Sequence, residues 1–143
     1  LSIDDTKDIS DALKSKFPSI IEPHKEDICY ATTNRQMAVK ELAQQVEAIL
    51  IIGSENSSNS QRLVEVGEKA GCNYIKLVDD KSQVDWSAFE KINRVGISAG
   101  ASAPENLITE LVSEFQLRFA TTVNLLPVIE ENVTFKMPRI LRE

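Results

Sequence analysis

A chain of 143 residues buries one real core, and one domain is the default at this length. With 42% hydrophobic and 27% charged residues it reads as soluble and globular, with no secretory leader pattern and no apolar run near the roughly 20 residues that span a bilayer. A formal charge of −6 excludes the basic face of a general nucleic-acid binder, but not a local anion site made from backbone and side-chain dipoles.

The chain opens at Leu1 with a capping segment already under way, and reads as part of a longer polypeptide. Ser2-Ile3-Asp4-Asp5 has capping-box spacing, and Ile9, Ala12, Leu13 and Phe17 form an apolar stripe behind it. That predicts a helix stopping before Pro18, with a linker from Pro18 to Pro23. His24, the only histidine, sits beside this proline-bounded linker and reads as a surface residue, which removes a Ser–His catalytic pair. Next comes a polar junction, Asp27-Ile28-Cys29-Tyr30-Ala31-Thr32-Thr33-Asn34-Arg35-Gln36, ahead of a helix with Val39, Leu42, Ala43 and Val46 on one face.

Ala48-Ile49-Leu50-Ile51-Ile52 is an apolar, β-branched run closed by Gly53, the pattern of a buried strand. The turn Gly53-Ser54-Glu55-Asn56-Ser57-Ser58-Asn59-Ser60 opens a helix in which Leu63, Val66, Gly67 and Ala70 recur at helical spacing, with Gly71 as its stop. Asn73 to Val78 predicts a second strand, closed by Asp79-Asp80, and a short helix is predicted over Trp86 to Ile92 with Trp86 and Phe89 inward. Val95-Gly96-Ile97-Ser98 predicts a third strand. The small-residue turn Ala99-Gly100-Ala101-Ser102-Ala103 leads to Pro104 at a first helical position, with Leu107, Leu111, Val112 and Phe115 inward. From 119 to 143, Val133, Phe135 and Met137 alternate between Pro127 and Pro138, as in an extended tail or edge strand.

Strands alternating with helices imply a small parallel-sheet, three-layer α/β unit, whose ligands sit beyond the carboxyl ends of the strands. The turns at 53–60 and 99–103 both leave strand carboxyl ends, and Cys29, just ahead of a helix, belongs on the same edge. Ser and Asn are preferred helix caps. They are equally suited, beside the free N–H groups of a helix start, to hold a phosphate or diphosphate. One cap needs one such residue, and the turn at 53–60 carries several. Ser102 fits either role, and Thr32 and Thr33 either cap a helix or line a site.

Cys29 has two readings: a small buried hydrophobe, or, among its polar neighbours, a thiolate favoured by a helix N-terminus as ligand or nucleophile. Cys72, after Gly71 and ahead of a strand, reads as buried and structural. The two cysteines are too few for a self-contained zinc motif, and nothing points to an oxidising compartment that would pair them. Asp79 and Asp80 read as a solvated turn, with no further carboxylates spaced to join them around a metal.

The segments Asp27–Gln36, Gly53–Ser60 and Ala99–Pro104, in this order and spacing, closely resemble the LytB/IspH family, and the resemblance runs on to Glu131-Asn132-Val133-Thr134-Phe135. These are 4-hydroxy-3-methylbut-2-enyl diphosphate reductases of the non-mevalonate isoprenoid pathway, built from three similar α/β units around an iron–sulfur cluster. The resemblance implies that residues 1–25 end the second unit, 26–118 form the third, and 119–143 are the C-terminal tail. It implies that Cys29 is one of three cysteine ligands of a 4Fe–4S cluster. By the same resemblance Ser57, Ser58, Asn59 and Ser102 bind the substrate diphosphate, with Thr32 lining the pocket. The implied reaction removes the allylic hydroxyl reductively to give isopentenyl and dimethylallyl diphosphate, with electrons from ferredoxin or flavodoxin, in a bacterial cytoplasm or a plastid stroma. The family's other two cluster cysteines, its histidines at the diphosphate, its proton-donor glutamate and a catalytic threonine would fall upstream of Leu1, so the chain alone is expected to be inactive. The alternative expectation is a non-catalytic, phosphate-binding α/β module without a cluster.

Overall fold

The computed structural model describes residues 3–21 and 30–126. Its elements, in order, are α1 (Ile3–Lys16), α2 (Tyr30–Gln45), β1 (Ala48–Ile52), α3 (Ser58–Lys69), β2 (Tyr74–Val78), β3 (Val95–Ala99) and α4 (Glu105–Phe119). Two 3₁₀ turns, Lys81–Gln83 and Trp86–Phe89, lie between β2 and β3.

The strands form a parallel sheet in the order β2-β1-β3, with Ile49 opposite both Ile75 and Gly96. All five β1 side chains are buried, and their alternation serves two cores. Ala48, Leu50 and Ile52 pack with Val78, Val84, Phe89, Leu111 and Phe115 beneath α4 and the 3₁₀ turns. Ile49 and Ile51 pack with Val39, Leu63, Val66 and Ile75 beneath α2 and α3. A strand covered on both faces must be apolar at every position, which is why 48–52 is a continuous run. The expected three-layer α/β unit is what forms.

The first core is aromatic. Phe115 stands edge-on to Phe89 at 5.2 Å and to Trp86 at 5.1 Å between ring centroids, and Tyr74 meets Phe89 at 5.5 Å. Trp86 and Phe89 point inward as expected, but the segment is a 3₁₀ turn ending at Phe89, not a helix to Ile92. Asp85 caps it through the Ser87 N–H, and one turn already delivers both rings to the core.

Helix α3 ends where Gly71 was expected to stop it. Gly71 has φ +97°, and its N–H donates to the Glu68 carbonyl at 2.9 Å while the Cys72 N–H donates to Gly67 at 3.1 Å. This paired closure needs a left-handed residue after the cap. Helix α1 ends before Pro18 as expected, with Ile9, Leu13 and Phe17 exposed. The capping residue Ser2, His24 in the linker, and the tail strand around Val133–Met137 lie outside the described residues. Residues 121–126 have no regular structure.

Chemical denaturation should rank these features. Phe115→Ala is expected to cost about 3–5 kcal/mol by opening the aromatic core, and Gly71→Ala about 1–2 kcal/mol by forcing a side chain into the left-handed region. Equal, small losses for both would contradict this placement of the core.

Candidate anion site at the strand carboxyl ends

The chain leaves β1 toward β2 on one side, then returns to β3 on the other. That reversal makes the carboxyl ends of β1 and β3 a topological switch point, the place where open α/β sheets bind ligands. The pairing continues one residue past the strands: the Gly53 N–H donates to the Val78 carbonyl at 3.0 Å, and the Gly100 N–H to Ile52 at 2.9 Å. The turns after β1 and β3 therefore depart from neighbouring strands, about 4.8 Å apart.

The first turn is shorter than its composition suggests, because helix α3 begins inside it. Ser57 is the N-cap, with extended backbone, and its Oγ accepts the Ser60 N–H at 3.3 Å. The Ser54 carbonyl accepts the Ser57 N–H at 2.9 Å, the Ser54 Oγ accepts the Asn56 N–H at 3.2 Å, and Gln61 Nε2 donates to the Glu55 carbonyl at 2.7 Å. One serine is thus enough for capping, as the composition argued. Ser58 and Asn59 are surplus to it and occupy the first helical turn, where N–H groups have no intrahelical acceptor. Ser58 is exposed, and Ser57 and Asn59 are half-buried.

The second turn differs in one detail from expectation. Pro104 is the N-cap of α4, not its first helical residue, and no side chain caps this helix. Ser102 is therefore exposed and free of a capping role. The turn closes on itself, the Ala103 N–H donating to the Gly100 carbonyl at 3.1 Å.

Helix α2 starts at Tyr30, so Thr32 and Thr33 stand within its first turn and neither caps it. Only Val46 and Glu47 separate α2 from β1, so the helix runs antiparallel to the strand. Its 16 residues, roughly 24 Å long, return its N-terminus to the end of the sheet where the turns lie. Thr32, Thr33 and Arg35 are half-buried there, with Arg35 Nη1 donating to the Ala31 carbonyl at 3.3 Å. Cys29, the residue before α2, lies outside the described residues.

Within 53–60 and 100–105 the ionisable side chains are Glu55 and Glu105, both exposed. Any anion held by these segments is held by dipoles, with no cation supplied by either turn.

The opposite end of the sheet is structural. Glu47 Oε1 accepts the N–H groups of Asn93 and Arg94, both at 3.2 Å, tying β1 to β3 at their starts. Cys72 is a free thiol, buried, donating to the Tyr74 carbonyl at 3.2 Å at the beginning of β2. At the carboxyl end of β2, on the same side as the two turns, Asp80 caps the first 3₁₀ turn, and the Ser82 hydroxyl and N–H hold its carboxyl below the usual range. Asp79 exchanges hydrogen bonds with Gln83, so the pair forms a solvated turn. A hollow of about 250 Å³ beside β2, lined by Tyr74, Lys76 and Asp85 among others, includes neither turn.

Among the described residues no group of three or more His, Cys, Asp or Glu is placed to hold a metal, and no helix is long and apolar enough to cross a membrane. Iron–sulfur clusters are held by several thiolates. The one described thiol, Cys72, is engaged at the wrong end of the sheet, so these residues do not by themselves fit a cluster.

One residue was missed from sequence. Ser60 is buried at 1% exposure, and its Oγ has no hydrogen-bond partner. A Cβ at either Gly53 or Gly100 would collide with that oxygen. The signal lay in the pairing of a glycine after each strand with a serine in the third helical position, which only the tertiary contact reveals.

Residues 1–116 match the family model for LytB protein. The 4-hydroxy-3-methylbut-2-enyl diphosphate reductase of Ruegeria sp. (strain TM1040) is 56% identical over 142 residues, covering 99% of this chain and 45% of its own length. That of Cereibacter sphaeroides (strain ATCC 17025 / ATH 2.4.3) is 56% identical over 143 residues, covering all of this chain and again 45% of its own. The E-1-hydroxy-2-methyl-but-2-enyl-4-diphosphate reductase from Plasmodium falciparum superposes with a TM-score of 0.85 at 29% identity, over 98% of this chain and 44% of its own. The chain thus spans less than half the length of the relatives it matches. With its α/β unit and polar strand-end turns now placed, the chain belongs to the LytB family.

Proposed function

We propose that the chain is the substrate-gripping part of a reductase that converts 4-hydroxy-3-methylbut-2-enyl diphosphate to isopentenyl and dimethylallyl diphosphate. The observation that carries this reading is the switch point between β1 and β3, where the N-terminus of α3 and two turns rich in neutral donors leave neighbouring strands, in a chain of this family. A diphosphate suits it chemically. The Ser58 and Asn59 N–H groups and hydroxyl or amide donors offer one cluster, Ser102 the other, and Ser57 keeps its hydroxyl hydrogen to donate while its oxygen caps α3. Thr32 approaches from the first turn of α2. With no cation in either turn, the counter-charge comes from elsewhere in the protein, and the chain alone binds diphosphate weakly.

The redox half of the activity is assigned to the upstream portion that the relatives carry. Loss of the hydroxyl as water consumes two electrons and two protons, and ferredoxin or flavodoxin fits as the donor. Cys29, which precedes α2 in the sequence, is assigned as one thiolate ligand of a 4Fe–4S cluster whose remaining ligands lie outside this chain. Helix α1 supports the same division: its exposed Ile9, Leu13 and Phe17 fit residues 1–25 belonging to a neighbouring unit, with 26–118 as the gripping unit and 119–143 as a tail.

Two measurements check this reading. Ser58→Ala combined with Asn59→Ala should weaken diphosphate binding by about ten- to a hundred-fold, the worth of one or two hydrogen bonds to a charged group, while circular dichroism stays unchanged because the Ser57 cap is intact. Unaltered affinity would reject the grip. In the protein joined to its upstream portion, Cys29→Ser should abolish the visible absorbance and iron content of the cluster. Full retention of both would reject ligation and favour a phosphate-binding module.

A further inference from the structure

Ser60 has no role in capping, yet it keeps a hydroxyl where a buried polar atom without a partner is unfavourable. Its oxygen occupies the space that side chains at Gly53 and Gly100 would otherwise fill. These glycines are the first residues after β1 and β3, so one side chain, rooted in α3, touches the base of both turns. The atom is sealed from solvent, so a ligand does not reach it in this arrangement.

We propose that Ser60 is a positioning residue that gauges the separation of the two turns, and so selects a diphosphate, which spans both, over a single phosphate, which needs only one. The inference rests on the diphosphate reading above. The gauge is steric and its tolerance differs between the two sides. If Oγ is removed, a Cβ at Gly100 meets Ser60 Cβ at 3.6 Å and the Ile52 carbonyl oxygen at 3.8 Å, ordinary contacts. A Cβ at Gly53 would still meet Ser60 Cβ at 2.8 Å, closer than real contacts allow. The turn after β3 can therefore be relieved by deleting the hydroxyl, and the turn after β1 cannot.

The test is calorimetric titration of inorganic diphosphate and of orthophosphate into the protein, its Ser60→Ala, Gly100→Ala and Gly53→Ala variants, and the two doubles pairing Ser60→Ala with each glycine change. Ser60→Ala should reduce diphosphate affinity about three- to tenfold, a small part of the binding free energy, and leave orthophosphate affinity in place. Gly100→Ala should lose diphosphate binding more deeply, and Ser60→Ala should restore it to the level of the Ser60→Ala single variant. The Gly53→Ala loss should persist in its double. Thermal melts of each variant, run in parallel, separate unfolding from loss of selectivity. A parent that binds neither anion, even at the millimolar concentrations that a weak site requires, overturns the diphosphate reading and this inference with it. A parent that binds diphosphate, with variants whose two affinities fall in parallel or whose doubles show no asymmetry between Gly53 and Gly100, overturns the role of Ser60 alone.

Discussion

The burial of β1 on both faces is the constraint from which the rest of the unit follows. Its side chains alternate between two cores, Ala48, Leu50 and Ile52 to one and Ile49 and Ile51 to the other. Burying a large aliphatic side chain is worth about 1.5–3 kcal/mol, so this strand is held at the centre of the sheet, where both faces are covered. With β1 fixed at the centre and both neighbours parallel, each connection must cross back over the sheet. The chain goes first to β2 and then to β3, on opposite sides of β1, and the reversal makes the switch point. Glu47 closes the far end of the β1–β3 pair through the Asn93 and Arg94 N–H groups.

The turns after β1 and β3 offer dipoles in place of charges. Helix α3 contributes first-turn N–H groups, the Ser57 oxygen caps it, and Ser58, Asn59 and Ser102 are left without a capping role. Neutral donors suit the proposed diphosphate, which the product of the proposed reaction would still carry. Their strength depends on exclusion of water, since the same hydrogen bonds are worth little when exposed. Ser57 and Asn59 are half-buried and Ser58 and Ser102 exposed, so on the proposed reading they would form one wall of a pocket that needs a second wall to become dry. The exposed apolar side of α1 and the fraction of the relatives' length that this chain spans agree with a second wall supplied by more of the protein.

Much of the fold was legible because the local signals agreed with one another. The apolar run at 48–52, Gly71 and the stripe in α4 each gave their element to within a residue or two. Three details were not. Composition alone does not say where a polar turn becomes a helix, and Ser58 to Ser60 and Tyr30 to Gln36 turned out to be helical. The aromatic spacing at Trp86 and Phe89 satisfies a 3₁₀ turn as well as a helix, since both bring residues three apart to one side. Pro104 fits the cap position as readily as the first helical one. The polarity of the turns was legible as residue types, through the surplus of hydroxyls and amides over what capping needs, and the proposed site rests on it. Its organisation was not, because Ser60, Gly53 and Gly100 meet only through the parallel pairing of strands far apart in sequence.

The central claim is that the turns after β1 and β3 form one diphosphate grip. Backbone amide shifts in an NMR titration with inorganic diphosphate test it most directly, since the N–H groups are themselves the proposed donors. The expected result is a saturable shift confined to Ser58 and Asn59 in α3 and to Gly100–Ala103 after β3, with both sets following a single binding curve. Shifts at only one turn, two unrelated curves, or a response centred on the hollow beside β2 would contradict it.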